Sequence, residues 1–204
     1  DGSINLAKTY AKAQSHKYVM PNQYENEKNV EAHFKTTGPE IWKQTNGTVT
    51  HFLTGCGTGG TITGTATYLK EKNESVKVVA VQAQKNHLLQ GLRNFEESAM
   101  PDLFKKRQSV VDEWFTATNK GSFDAAKLLA EKEGLLVGPS SGSVLESMLA
   151  TAQKMDAGVL VGIFADDGRK FKSLYVREGV FTEQEYDRAL KNAKHLSKLA
   201  YSLN

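Results

Sequence analysis

The chain has 204 residues, 39% of them hydrophobic and 24% charged, with a formal net charge of +3; this suffices for one compact core, with room for a fragment of a second domain. The basic residues are spread and carry no interleaved aromatic stripe, which argues against a nucleic-acid partner, and no apolar run is long enough to span a membrane as a helix. The single cysteine, Cys56, cannot form an internal disulfide and fits a reducing cytoplasm, while five scattered histidines offer no metal-ligand spacing.

The first predicted element is a helix, with Ile4, Ala7, Tyr10 and Ala11 on one face and Ser3 as its N-cap. Nothing in Asp1-Gly2-Ser3 or after it resembles a signal peptide. Entry into helical periodicity without a methionine reads as a cut inside a domain, or as a processed terminus. Residues 18–20 are predicted as a short strand ended by Pro21, and residues 29–34 as a helix. Gly38-Pro39-Glu40 starts another helix, with proline in its first turn, and Asn46-Gly47 stops it. Residues 48–53 form a β-rich run that leads into the glycine cluster 55–60, and a helix follows through Tyr68 and Leu69. Residues 76–81 are nearly continuous β-branched chain, the pattern of a strand buried on both faces. After an irregular stretch, 84–107, come a strand near 110–116, a helix over 123–132 and a strand over 135–137. A helix over 141–155, a buried strand over 159–164 and an amphipathic helix over 183–199 complete the chain. This alternation predicts an α/β fold, a mostly parallel twisted sheet with helices on both faces.

Chemistry concentrates first in the segment Thr50-His-Phe-Leu-Thr-Gly-Cys-Gly-Thr-Gly-Gly-Thr61. A strand delivers the chain to a glycine-rich turn and a helix leaves it, so successive N–H groups can converge on one anion at a helix N-terminus. The Thr58 and Thr61 hydroxyls add two further donors. A turn that merely permits close packing is the alternative. Gly55, Gly57 and Gly60 satisfy the GxGxxG spacing of a dinucleotide fold, but the next strand runs into Gln82-Ala-Gln84-Lys85 and offers no carboxylate for a ribose. A Walker-type loop needs lysine where Thr61 stands. A small monophosphate cofactor remains.

Gly138-Pro139-Ser140-Ser141-Gly142 matches the GxSxG elbow of α/β-hydrolases, and Asp167 and His195 follow in triad order. Against that reading, His195 falls within an amphipathic helix and no oxyanion segment precedes the serine. Ser140 also reads as the N-cap of the helix that follows.

Taken together, the segments Gln23-Tyr-Glu-Asn26, Ala32-His-Phe34, Thr36-Thr-Gly-Pro-Glu-Ile-Trp42, Gly57-Thr-Gly-Gly-Thr61 and Glu133-Gly-Leu-Leu-Val-Gly-Pro-Ser-Ser-Gly142 resemble, in order, the cysteine synthases. These are fold-type II pyridoxal-phosphate enzymes related to cystathionine β-synthase and built like the tryptophan synthase β-subunit. The resemblance implies pyridoxal 5′-phosphate as cofactor. Its phosphate would lie on Gly57, Thr58, Gly59, Gly60 and Thr61, its ring nitrogen on Ser140, and the substrate carboxylate near Gln23, for which a local backbone bond is the alternative.

Gln90-Gly-Leu-Arg-Asn-Phe95 and Ala165-Asp-Asp-Gly-Arg-Lys-Phe171 are similar to the cysteine synthase B branch, some members of which take O-phosphoserine. Arg93 matches the arginine that grips the substrate phosphate there; a surface arginine on a loop is the alternative. The implied reaction is β-replacement, forming L-cysteine from an activated serine and a sulfur donor, in a homodimer. Cystathionine β-synthase or serine/threonine dehydratase activity is the alternative within the class, and a non-catalytic phosphate- or partner-binding relative the alternative outside it. The resemblance places residues 1–26 in a smaller amino-terminal domain and 27–204 in the larger one. It places the Schiff-base lysine upstream of Asp1, so the chain alone is expected to be inactive.

Overall fold

The computed structural model describes residues 2–202, with side chains through residue 193. A sheet of four parallel strands runs in the order β3-β2-β1-β4, formed by β1 (His51–Gly55), β2 (Lys77–Ala83), β3 (Glu113–Ala117) and β4 (Leu160–Gly162). The two central strands are the apolar runs that bury both faces: Phe52, Leu53, Val78, Ala80 and Val81 are fully enclosed.

Helices cover both sides. α2 (Lys28–Lys35), α3 (Thr37–Gln44) and α4 (Gly60–Lys72) pack together, and Ile41, Ile62, Ala66 and Leu69 share a core with Val78 and Ala80 of β2. α6 (Asn119–Lys132) and α7 (Pro139–Ala152) pair with each other, and a second core gathers Val81, Phe123, Ala126, Tyr175 and Tyr186. The remaining helices are α1 (Gly2–Ala13), α5 (Asp102–Lys105), α8 (Lys172–Arg177) and α9 (Glu183–Ser202). None of the described helices is long and apolar enough to cross a membrane.

Several expectations need correction. Residues 18–20 form no strand; they lie as open chain with Val19 90% exposed. Residues 135–137 contribute only an isolated antiparallel bridge from Val137 to Asp167, because Gly138 and Pro139 turn the chain into α7 at once. The strand predicted over 159–164 is three residues long and half-buried, since β4 lies at the edge of the sheet. α1 starts at Gly2, so Ser3 lies inside it rather than capping it, and the helix buries no residue. Ser140 likewise is not the cap of α7: Gly138 takes that place and Pro139 starts the helix, where its missing N–H costs nothing.

Candidate active site

The glycine segment leaves β1 at its C-terminal end and enters α4, the position where parallel α/β sheets present their ligand sites. Cys56 anchors it, its N–H donating to Val81 O (2.8 Å) and its carbonyl accepting from Arg93 N–H (3.0 Å). The chain then rises through Gly57 and Thr58 to Gly59, whose φ of +85° is the left-handed region that favours glycine. A Cβ at Gly59 would also lie 2.3 Å from Phe104 Cβ, so the requirement for glycine is set on the inner side of the turn.

Among the described residues, no protein acceptor takes the N–H groups of Gly57, Thr58, Gly59 or Thr61, while Gly60 N–H makes one long contact with Thr58 Oγ1 (3.4 Å). Free donors at the start of a 13-residue helix, with its positive end behind them, suit an oxyanion such as a phosphate monoester.

Helix α2 holds this turn in shape. Asn29 Nδ2 donates to Thr58 Oγ1 (3.0 Å) and to the Gln23 carbonyl (2.8 Å). Thr61 Oγ1 meets His33 Nε2 at 3.1 Å, and His33 Nδ1 meets Thr37 Oγ1 at 2.9 Å. Sequence reasoning alone misses Asn29 and His33. Their signal is two polar side chains four apart on one face of an amphipathic helix, but their value depends on α2 docking against α4, close enough that a Cβ at Gly64 would lie 2.3 Å from Val30 O.

A cleft of about 440 Å³ opens beside the turn, lined by Gln23, Tyr24, Gly57, Thr58, Gly91, Leu92 and Arg93. Four of the sequence-predicted residues, Gln23, Gly57, Thr58 and Arg93, therefore share one cavity wall. Arg93 is half-buried, with its guanidinium 5.0 Å from the centre of the Tyr24 ring and Nη1 3.5 Å from Ala99 O. Arg93 is carried by a loop stitched over the strand ends: Ala83 N–H donates to Arg93 O (3.0 Å), and Asn94 Nδ2 to Ala83 O (2.8 Å).

Ser140 is 8% exposed and lies behind Gly91, where a Cβ built on the glycine would come within 3.5 Å of Ser140 Oγ. Ser140 Oγ is 3.5 Å from Asp166 Oδ1, and Asp166 pairs with Lys170 Nζ at 3.0 Å. The hydrolase arrangement gains nothing from this geometry. Asp167 instead accepts from Arg169 N–H (2.8 Å) and pairs with the Arg169 guanidinium, whose hydrogen bond holds the Asp167 carboxyl below the usual carboxylate range. The side chain of His195 lies outside the described residues. Cys56 is buried, and desolvation pushes its thiol up to about 12, so it stays protonated and is no nucleophile. No cluster of three or more metal-ligating side chains occurs among the described residues.

A parallel sheet wrapped by helices, with a glycine-rich turn and a cleft beside it at the carboxyl edge of β1, defines an α/β protein with the ligand-site layout of open parallel sheets. The chain belongs to the pyridoxal-phosphate-dependent enzyme family, whose model matches residues 1–166. It is 36% identical over 190 residues to a cysteine synthase of Aquifex aeolicus, covering 91% of this chain and 56% of that protein. Identity is 37% to a cysteine synthase B of Pseudomonas aeruginosa (74% of this chain, 50% of that one) and 38% to an O-acetylserine dependent cystathionine β-synthase of Bacillus subtilis (77% and 53%). Among solved structures, an O-ureido-L-serine synthase superposes with a TM-score of 0.80 at 28% identity, over 89% of this chain and 59% of that one. The O-acetylserine sulfhydrylase isoform 3 of Entamoeba histolytica superposes with a TM-score of 0.77 at 29% identity, over 92% and 59%. The chain thus spans about half the length of the curated relatives it matches.

Proposed function

We propose that the chain is the cofactor-phosphate part of a pyridoxal-phosphate enzyme that forms L-cysteine by β-replacement on O-phosphoserine or O-acetylserine, with a sulfur donor. The observation that carries this reading is the shared cleft: Gln23, Gly57, Thr58 and Arg93 on one wall, with Ser140 behind Gly91. In this reading Gly57, Thr58, Gly59, Gly60 and Thr61 hold the cofactor phosphate through N–H and hydroxyl donors, and Ser140 takes the ring nitrogen. Gln23 orients the substrate carboxylate, and Arg93 accepts a phosphorylated leaving group. When bound, pyridoxal phosphate supplies an electron sink for loss of the α-proton and of the β-substituent.

No lysine lines the cleft among the described residues. In this reading the Schiff-base lysine and the proton transfer at the α-carbon belong to a part of the enzyme outside this chain, and the chain alone is expected not to turn over. In the same reading residues 1–26 belong to a smaller domain, the enzyme is a homodimer, and it works in the cytoplasm. The same residues would serve a cystathionine β-synthase, which differs in the thiol that adds; the Bacillus subtilis relative supports keeping that variant in view.

Equilibrium dialysis tests the reading. The chain is expected to bind pyridoxal phosphate, and inorganic phosphate is expected to compete for the same place. A Cβ at Gly57 would lie 2.9 Å from Gly91 O, so Gly57→Val should fill the cleft mouth and remove both ligands. Ligands that bind the Gly57→Val chain as well as the original would put the cofactor elsewhere.

A further inference from the structure

We propose that His33 is a positioning residue for the anion loop: with an anion bound, its Nε2–H donates to Thr61 Oγ1 and thereby frees the Thr61 hydroxyl proton for the anion. The inference rests on reading residues 57–61 as a phosphate loop. Its geometry is a chain of three groups, Thr61 Oγ1, the His33 ring and Thr37 Oγ1, linked at 3.1 and 2.9 Å. Neither hydroxyl has another hydrogen-bond partner among the described residues.

Two neutral arrangements satisfy these distances, and they present opposite faces to the loop. If His33 carries its proton on Nδ1, that N–H donates to Thr37, and Thr61 must give its own proton to Nε2. The Thr61 oxygen then offers only lone pairs to an anion, which repels it. If the proton is on Nε2, Thr37 donates to Nδ1, Thr61 accepts from Nε2–H, and the Thr61 hydroxyl points its proton outward. An anion selects the second arrangement. A doubly protonated His33 donates from both nitrogens and supports the same orientation, so anion binding and protonation of His33 strengthen each other.

The ring is poised for such coupling. Burial holds its pKa below the ordinary histidine value. The surrounding helices carry Lys28, Glu31 and Lys35 on α2 and Glu40 and Lys43 on α3, and the first two turns of α4 carry no titratable group before Tyr68. None of these groups contributes to the shift.

Inorganic phosphate titrated into the 204-residue chain provides the test, read by long-range ¹H–¹⁵N spectra of the His33 ring and by calorimetry. The expected results are an Nε2–H ring in the phosphate-bound chain and an upward shift of the His33 titration midpoint on binding. His33→Gln, whose amide can donate from the Nε2 position, should bind within about twofold of the original chain, whereas His33→Ala and His33→Asn should weaken binding by on the order of fivefold, the loss of one oriented hydrogen bond. In a Thr61→Val background His33→Ala should add nothing. An Nδ1–H ring in the bound state, or unchanged affinity in His33→Ala, would overturn the proposal while leaving the phosphate loop standing. Failure of the original chain to bind phosphate would remove both. Should His33→Ala not fold, the tautomer in the original chain decides the matter.

Discussion

At Arg93 the guanidinium lies over the Tyr24 ring, 5.0 Å from its centroid, on the wall of the cleft that Gly57 and Thr58 also line. A phosphate monoester carries close to two negative charges and matches that fork, whereas an acetyl ester carries none. In the complete enzyme, Arg93→Ala should therefore lower kcat/KM for O-phosphoserine by about 2 kcal/mol or more and leave O-acetylserine nearly unchanged. Steady-state kinetics on both substrates checks this, and equal losses would make Arg93 a support of its loop rather than a substrate contact. The glycine loop and the serine turn were legible residue by residue, because their chemistry is local: glycines, hydroxyls and a helix start, all contiguous in the chain. Asn29 and His33 were not, since nothing contiguous with them announces Thr58 or Thr61. Gly59 carries a second requirement that no local pattern announces: besides its left-handed φ, its Cβ would strike Phe104, a contact 45 positions away in sequence.

The elements divide in the same way. β2 was readable because a run of β-branched residues wants a site enclosed on both faces, which a central parallel strand supplies, and Val78, Val79, Ala80 and Val81 are indeed enclosed. The short apolar runs at 18–20 and 135–137 have the same composition of strand formers, yet neither has a neighbouring strand to complete a ladder, and pairing is a property of the partner as much as of the run. What fixes 135–137 is a side chain. Tyr175, fully buried on α8, donates its hydroxyl to Val137 O at 2.7 Å, and Gly168 N–H donates to Leu136 O at 2.8 Å. These bonds hold the segment that delivers Ser140 to the first turn of α7. Tyr175→Phe leaves the Val137 carbonyl buried without that donor and should cost about 1–3 kcal/mol of stability in urea unfolding, with little change in α-helical signal. A cost near zero would mean that the aromatic contacts of Tyr175 with Phe123, Phe171 and Phe181 suffice to hold the segment.

For the molecule as a whole, acid should act in two separate steps. His33 is the first. Its folded pKa lies below the ordinary 6.5 because burial disfavours the cation, so the unfolded chain binds that proton more readily. Stability is then complete above about pH 6.5, the ordinary histidine value, and declines as the pH falls from there toward the lower folded value. Asp112 is the second, and it joins three elements: it pairs with Lys70 of α4 (2.8 Å) and accepts from Val78 N–H of β2 (2.8 Å), just ahead of β3. Partial burial would raise its pKa, but the hydrogen bonds from Lys70 and Val78 outweigh it and hold the carboxyl below the ordinary 3.8. Its contribution is present above that ordinary value and disappears as the pH falls through the folded one. A plot of unfolding free energy against pH, from urea titrations in constant salt, should thus bend once below pH 6.5 and again below pH 3.8, the ordinary values from which the two groups are displaced. His33→Gln should remove the upper bend only. Asp112→Asn should shrink the lower one, which Asp167, held low by Arg169, also shares, and should lower the plateau at neutral pH because Lys70 loses its partner. An upper bend that survives in His33→Gln would assign it to another group and would mean that the His33 ring takes up its proton in the folded chain as easily as in the unfolded one.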